Sequence, residues 1–291
     1  MQSKKLPRLA IFGHLQRQKV AEAIKAFEEF AEGKAEIVAD CDIPFVADAI
    51  NTPGKCDFAV VFGGDGSIIS AARNLSKARV PMIGVNLGKL GFLAEFSLNE
   101  LKKYFNDIIS GKATVEKRMM LKCKVFENSI NGREKFNSSA VNDIFITAGQ
   151  LHRMIELKIA VDGQFVASCV GDGLIVSTPT GSTAYNLSAG GPILDSSMQA
   201  LVITPICPHS LSFRPIVIST DNKVEVYCER LGDGTTISID GQDSIVLSVG
   251  DIIRLERSDS DFLVVNNPLR TRWDTLAAKL GWAETPKYEK F

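Results

Sequence analysis

The sequence predicts an α/β N-terminal domain built on a parallel sheet, followed by a β-rich C-terminal domain. Three observations carry this. Short apolar runs at residues 9–12, 58–62 and 80–85 alternate with stretches of helical spacing, the pattern of strands buried on both faces and covered by helices. Near Gly111 the pattern changes to short alternating stretches separated by turn residues. A chain of 291 residues also has room for two separate cores.

In order, Leu9-Ala10-Ile11-Phe12 reads as a first strand, and Val20, Ala23, Ile24 and Phe27 follow at helical spacing. A short strand is expected at residues 36–38. Phe58-Ala59-Val60-Val61-Phe62 is the next strand. It runs directly into Gly63-Gly64-Asp65-Gly66-Ser67 and then a helix through Ile68, Ala71, Ala72 and Leu75, with Ser67 expected as its cap. The apolar run 80–85 ends at Asn86, so Asp65 and Asn86 both lie at carboxyl ends of strands, where ligands bind in such sheets. A helix through Leu101, Tyr104, Phe105 and Ile108 closes this half.

Beyond Gly111, Asn131-Gly132 and Asp162-Gly163 divide strand-like stretches as hairpin turns do. Residues 224–227, 236–239 and 252–255 continue the alternation, with turns at Gly232-Asp233-Gly234 and Gly250-Asp251. Near the end, Trp273, Leu276, Ala277 and Leu280 fit one face of a helix that stops at Gly281.

Composition narrows the function classes. A formal net charge of −1 argues against a broad nucleic-acid surface, which needs many phosphate-directed cations. No apolar stretch is long enough to span a bilayer or to form a signal-peptide core, so a cytoplasmic protein without membrane partners is expected. The cysteines at 41, 56, 123, 169, 207 and 228 form no Cys-x-x-Cys pair, and His14, His152 and His209 are dispersed. No metal held by protein side chains alone is expected.

The Gly-Gly-Asp-Gly turn carries the first chemical signal. Its glycines let a ligand approach the backbone, and amides at a helix start favour an anion. Asp65 among them suits a metal-complexed nucleotide or the proton of an attacking hydroxyl. The plain alternative is a turn aspartate bonded to nearby amides. Neither familiar phosphate motif is present: Gly84 and Gly88 are too close for a Walker A loop, with Leu90 in place of Ser or Thr, and no Gly-x-Gly-x-x-Gly follows a strand.

The second signal is the stretch from Gly171-Asp172-Gly173 through Thr178-Pro179-Thr180-Gly181-Ser182-Thr183-Ala184-Tyr185. Its hydroxyls and helix-start amides are expected donors to phosphate and sugar oxygens, and Tyr185 adds an aromatic face. A capped helix after a turn is the structural alternative, though one cap does not require so many hydroxyls.

Together these stretches resemble the NAD kinases, whose hallmark is Gly-Gly-Asp-Gly followed by Gly-Asp-Gly-x-x-x-x-Thr-Pro-x-Gly-Ser-Thr-Ala-Tyr. The resemblance continues through Asn86-Leu87-Gly88-x-Leu90-Gly91-Phe92-Leu93, Asn142-Asp143, residues 188–192, Pro205 to Pro215 and Asp240-Gly241-Gln242. Lipid kinases related to diacylglycerol kinase share only the first turn. The family usually carries Asn-Glu where this chain has Asn142-Asp143.

The resemblance implies transfer of the terminal phosphoryl group of ATP, with a divalent cation (magnesium), to the 2'-hydroxyl of the adenosine ribose of NAD. Asp65 matches the catalytic aspartate, the general base. NAD contacts are implied at Gly64, Gly66, Asn86, Phe92, Asn142, Asp143, Asp172, Thr183, Ala184, Tyr185 and Gln242, and also at Asp240. It further implies an NAD kinase-like or diacylglycerol kinase-like fold with the site between the domains. Domain 1–110 carries the glycine turn, 111–267 carries most dinucleotide contacts, and 268–291 returns a helix to the first domain, burying Trp273 and Leu276. A homodimer or homotetramer is implied. A lipid kinase and a non-catalytic NAD(P) sensor are the alternatives.

Overall fold

A computed structural model describes residues 6–43, 54–88, 91–149 and 154–282; the side chain of Cys41, Leu90 of the Asn86 motif, His152 and residues 283–291 lie outside the described residues. The chain divides into two units, Met1–Lys117 with Phe262–Phe291, and Arg118–Asp261.

In the first unit the strands are β1 (Arg8–Gly13), β2 (Glu36–Asp42), β3 (Phe58–Phe62), β4 (Pro81–Val85), β5 (Val115–Arg118) and, from far along the chain, β18 (Phe262–Val265). They form one sheet in the order β2-β1-β3-β4-β18-β5, and the β1/β2, β1/β3, β3/β4 and β4/β18 pairs are parallel. Helices α1 (Gln18–Ala31), α2 (Asp65–Leu75) and α3 (Leu98–Ile109) are the connections that parallel strands require. Helix α1 buries Val20, Ala23, Ile24, Phe27 and Ala31, the apolar stripe read from its spacing. Phe27 sits with its ring centroid 5.7 Å from both Phe62 and Phe105. Each such buried ring contributes about 1.5–3 kcal/mol of transfer free energy.

Strands β5 and β18 depart from the sequence reading, which ended the first domain at 110 and placed residues up to 267 in the second. β18 is a short apolar run whose register partners are Pro81 and Met82, so its place depends on a strand far away in sequence. The segment after it is tied down by Asn267, whose amide donates to Glu95 Oε2 at 2.9 Å, and by Arg270, which pairs with Glu100 at 2.7 Å.

The C-terminal helix α5 (Arg272–Leu280) ends at Gly281 with φ +60 and begins with a Thr271–Asp274 capping box. Its expected buried stripe is corrected: Leu276 is buried, but Trp273 is 55% exposed and stacks on Trp282. The aromatic ring finds its partner on the same segment instead of in the core.

The second unit holds two six-stranded sheets. One has the order β10-β9-β14-β17-β6-β7 and the other β13-β12-β11-β8-β15-β16. The members are β6 (Leu121–Phe126), β7 (Glu134–Ala140), β8 (Asp143–Thr147), β9 (Ile155–Val161), β10 (Gln164–Gly171), β11 (Gly173–Ser177), β12 (Ala200–Ile206), β13 (Ile216–Ser219), β14 (Val224–Arg230), β15 (Thr236–Ile239), β16 (Asp243–Val246) and β17 (Ile252–Arg257). Alternate residues of both sheets, among them Leu121, Cys123, Val125, Ile144, Ile146 and Ile237, form one core, as the two-residue period of a strand dictates. Asp162 (φ +50) and Gly163 (φ +74) make the β9–β10 hairpin turn, the geometry that Asp-Gly favours. Cys56, Cys123, Cys169 and Cys228 are buried, whereas Cys207 is exposed. Burial pushes the Cys169 thiol up to about 11.

Candidate active site

The glycine turn links β3 to α2. Helix α2 begins at Asp65, with Gly64 at the N-cap and no side-chain cap. This corrects the expected capping role of Ser67, which is buried inside the helix. Gly63 is the turn residue with positive φ, and a Cβ there would overlap Ser67, so this glycine is required by the chain itself. Gly64 and Gly66 differ. Neither has a positive φ, and an added Cβ at either meets nothing within 4 Å. The fold therefore gives no reason for glycine at these two positions, and close approach of a ligand does.

The Asp65 carboxylate does accept backbone amides, but those of a distant loop. Oδ2 accepts from Phe92 at 2.8 Å, and Oδ1 accepts from Leu93 and Ala94, both at 3.0 Å. Gly91 is buried against this carboxylate, where any Cβ would overlap it. Phe92 is thereby fixed to Asp65. Asn86 follows β4, donates its amide to Phe96 at 2.7 Å, and accepts from the Gly88 amide at 2.6 Å. Gly64, Asp65, Gly66, Asn86 and Phe92 thus gather in the first unit at the carboxyl end of β3 and β4.

In the second unit Asp143 opens β8, which lies between β11 and β15. Asp240 follows β15 in a tight turn with Gly241, at φ +52 and +64. Its carboxylate accepts the amides of Val141, Asn142 and Asp143 at 2.9, 2.7 and 3.2 Å, and its own amide donates to the Asp143 carbonyl at 2.9 Å. Asp240 therefore fixes the backbone of the Asn142-Asp143 pair, a role that spacing alone did not reveal.

Asp143 is 3% exposed, and its Oδ2 has no hydrogen-bond partner among the described residues. Burial, and then the charge of Asp240, push its carboxyl up to about 7, against the opposing bond from the Tyr185 amide. A buried carboxylate oxygen without a partner is costly unless a ligand supplies the donor. Ribose hydroxyls are suitable donors.

Three hydroxyls of the hydroxyl-rich stretch, those of Ser177, Thr178 and Ser182, are corrected in their role. Thr178 Oγ1 donates to the Val141 carbonyl at 2.6 Å and accepts from Gly181, and Ser177 Oγ donates to the Thr178 carbonyl at 2.9 Å. Ser182 Oγ donates to Pro179 at 2.6 Å and accepts from Leu194. A Cβ at Gly181 would overlap the Asn142 backbone. These groups fold the loop against Asn142. The helix that follows, α4 (Tyr185–Ser188), has four residues, too few for the expected anion site at its start. What the loop presents is Thr183, Ala184 and Tyr185, with the Tyr185 ring edge-on to Phe145 at 5.0 Å between centroids.

Asn142, Asp143, Thr183, Ala184, Tyr185, Asp240 and Gln242 thus come together around the ends of β8, β11 and β15. Asp172 does not join them: it precedes Gly173, which pairs with Thr147, while Ser177 at the other end of β11 pairs with Asp143. Asp172 and Gln242 are exposed. Among the described residues no group of three or more His, Cys, Asp or Glu side chains is arranged to hold a metal, and no helix is long and apolar enough to cross a membrane.

Comparison with known proteins gives the family. A family model described as the ATP-NAD kinase N-terminal domain matches residues 15–113, and one described as the ATP-NAD kinase C-terminal domain matches residues 141–267. An NAD kinase of Syntrophotalea carbinolica is 37% identical over 261 residues, covering 89% of this chain and 90% of that protein. One from Thiobacillus denitrificans is 35% identical over 286 residues, covering 95% and 97%. The crystal structure of yeast NADH kinase complexed with NADH superposes with a TM-score of 0.84 at 28% identity, covering 100% of this chain and 92% of that one. An Archaeoglobus fulgidus NAD kinase in complex with ATP gives 0.72 at 26% identity, covering 92% and 96%. With both halves matched in order and the relatives covered almost end to end, the chain belongs to the NAD kinase family.

Proposed function

We propose that this NAD kinase, which makes NADP from NAD with ATP as donor, uses Asp65 as the general base. The 2'-hydroxyl oxygen of the adenosine ribose attacks the terminal phosphorus. The bond to the ADP oxygen breaks, and the hydroxyl proton passes to Asp65, leaving NADP and ADP. Oδ2 is the oxygen for this role, because it accepts one loop amide whereas Oδ1 accepts two. The observation that carries the reading is the pair Gly64 and Gly66, which flank Asp65 with open space and no conformational demand of their own.

Asn142 and Asp143 are the proposed adenosine-side contacts, the amide reading a base edge and the unpartnered Asp143 oxygen accepting from ribose hydroxyls. Asn86, Phe92, Thr183, Ala184, Tyr185 and Gln242 complete the proposed dinucleotide contacts, with Asp240 holding the 141–143 backbone, while Asp172, at the opposite end of β11, stands apart from this cluster. When bound with the triphosphate, a divalent cation, magnesium in this reading, supplies charge neutralisation at the phosphate oxygens. The scattered acidic side chains fit a cation carried in on the nucleotide. Exposed Phe165, Val217 and Val246 on edge strands support self-association as a homodimer or homotetramer. The near-neutral charge supports small-molecule rather than nucleic-acid partners, and we place the protein in the cytoplasm.

The test is magnesium- and ATP-dependent formation of NADP from NAD, read by a coupled NADP-specific dehydrogenase, in wild type and Asp65→Asn. Activity in the wild type that is lost in the variant, with NAD binding retained, supports the assignment. Unchanged turnover in the variant removes Asp65 from the role of base.

A further inference from the structure

We infer that Asn267 and Arg270, on the segment that follows β18, are positioning residues for the proposed base: they hold Glu95, and through it the loop whose amides orient the Asp65 carboxylate. The inference rests on the kinase reading above. Neither residue touches Asp65 in this account; each acts through the backbone of residues 92–95.

The loop is gripped at two adjoining points. Asp65 accepts the amides of Phe92, Leu93 and Ala94. Glu95, the next residue, carries the second grip. Its carbonyl oxygen accepts from Asn267 Nδ2 at 2.9 Å and from the Arg270 guanidinium, and its carboxylate Oε2 accepts the Asn267 backbone amide at 2.9 Å. Three donors from one distant segment therefore converge on the residue directly after the three amides. All of these residues belong to the first unit.

The anchors are themselves fixed. Asn267 is 1% exposed, and its Oδ1 accepts the Leu269 amide at 3.0 Å. The Arg270 guanidinium also reaches Glu100 on α3, with bonds of 3.1 and 2.7 Å, and Glu100 is the acidic member of the Ser97 capping box. A planar fork that bonds a carbonyl and a carboxylate together holds both in one geometry. Strand β4 supplies the remaining support: the Phe96 amide donates to the Gly84 carbonyl at 3.1 Å, and a Cβ at Gly84 would overlap the Leu93 carbonyl. The loop is thus fixed by β4, by α2 through Asp65, and by the segment after β18. A carboxylate that accepts three amides takes its aim from them, and a misplacement of about 1 Å at a reacting group costs about a hundredfold in rate.

The test measures kcat at saturating NAD, and the KM for ATP, in Arg270→Ala, Arg270→Lys and Asn267→Ser, each in the wild-type and the Asp65→Asn background. Arg270→Ala is expected to lower kcat about tenfold or more and to keep the KM for ATP within about twofold. Arg270→Lys keeps the charge but not the fork, and should recover part of the loss. In the Asp65→Asn background the same substitutions should change kcat by less than about twofold, because the base that they aim is gone. Hydrogen exchange supplies a readout independent of activity: the amides of residues 92–94 should exchange about tenfold faster or more in Arg270→Ala, with those of β9 unchanged. Lys112→Ala, which breaks an exposed ion pair with Asp107 in the same unit, is the control with unchanged constants. Arg270 is partly exposed, and thermal unfolding confirms that its variants fold. Folded Arg270 variants with wild-type kcat, an equal loss in both backgrounds, or unchanged exchange at residues 92–94 overturn the assignment while leaving the kinase reading intact. A wild type that forms no NADP overturns that reading, and the positioning role with it.

Discussion

The backbone amide of Phe92 donates to Oδ2 of Asp65 at 2.8 Å, so the proposed base and the loop carrying a proposed NAD contact are one structural unit. Substitutions at Asp65 should separate the two roles. Asn at 65 keeps an oxygen for the Leu93 and Ala94 amides but presents an NH2 group to the Phe92 amide. Asp65→Asn is expected to lower kcat about 10²–10⁴-fold, with the KM for NAD changed only a few-fold. Asp65→Ala, which frees the loop as well, should raise the KM for NAD in addition. Steady-state kinetics decide this: equal NAD constants in both variants would mean that the loop does not depend on Asp65.

Glycines on either side of the carboxylate make a second contrast. A Cβ at Gly91 would overlap Asp65, whereas one at Gly66 meets nothing. Gly91→Ala must displace either the carboxylate or the loop. It is expected to cost about 1–3 kcal/mol of stability and at least about tenfold in kcat. Gly66→Ala lies in the first turn of α2 and should stabilise the protein by about 0.5–1 kcal/mol while weakening substrate binding. Chemical unfolding and kinetics on the two variants check the pair. A Gly66→Ala enzyme with wild-type substrate constants would remove the close-approach argument for that glycine.

The β3–turn–α2 unit was legible because a five-residue apolar strand, glycines and helical spacing coincide within a few positions. The Asp162-Gly163 hairpin was legible for a similar local reason. β18 was not, since four apolar residues after a run of antiparallel strands look like one more of them; only register with Pro81 and Met82 places it in the parallel sheet. The site shows the same division. Asp65, Asn142 and Asp143 could be named from their motifs. That Asp240 holds three amides of the 141–143 backbone depends on a contact across nearly a hundred positions. The hydroxyls of Ser177, Thr178 and Ser182 read as ligand donors because composition does not show which acceptors the fold already offers.

Asp240 combines a left-handed backbone with an anchoring carboxylate. Ala at 240 loses all three amide bonds and leaves a residue poorly suited to φ +52. Asn tolerates that conformation and retains an acceptor oxygen. Asp240→Ala is expected to destabilise the protein by about 2–4 kcal/mol and to weaken NAD binding through the displaced Asn142. Asp240→Asn should be milder on both counts. Denaturant unfolding and calorimetric NAD titration check the order; equal losses would mean that the carboxylate bonds do not hold this backbone.

Asp143 supplies a pH dependence of definite sign. Burial and Asp240 push its carboxyl up to about 7 in the fold, against about 3.9 in an unfolded chain. The folded state therefore binds more protons between these values. Its stabilising contribution is fully present below about pH 4, falls as pH rises, and is lost above about pH 7, at up to about 1.4 kcal/mol per pH unit. Asp143→Asn removes this dependence, so the variant should be more stable than wild type by a few kcal/mol at pH 8 and close to it at pH 4. Ligand binding should run the other way. The ionised carboxylate is the acceptor for ribose hydroxyls, so wild-type affinity for NAD is expected to rise through pH 6–8, and the Asn variant should bind weakly across that range. Asp240→Asn removes a repulsive charge and should shift the wild-type binding midpoint to lower pH. Unfolding and calorimetric titration at pH 5, 7 and 8 check all three. An Asp143→Asn protein no more stable than wild type at pH 8 would show that the buried carboxylate is not strained there, and a flat pH profile of NAD affinity would take Asp143 out of the ribose site.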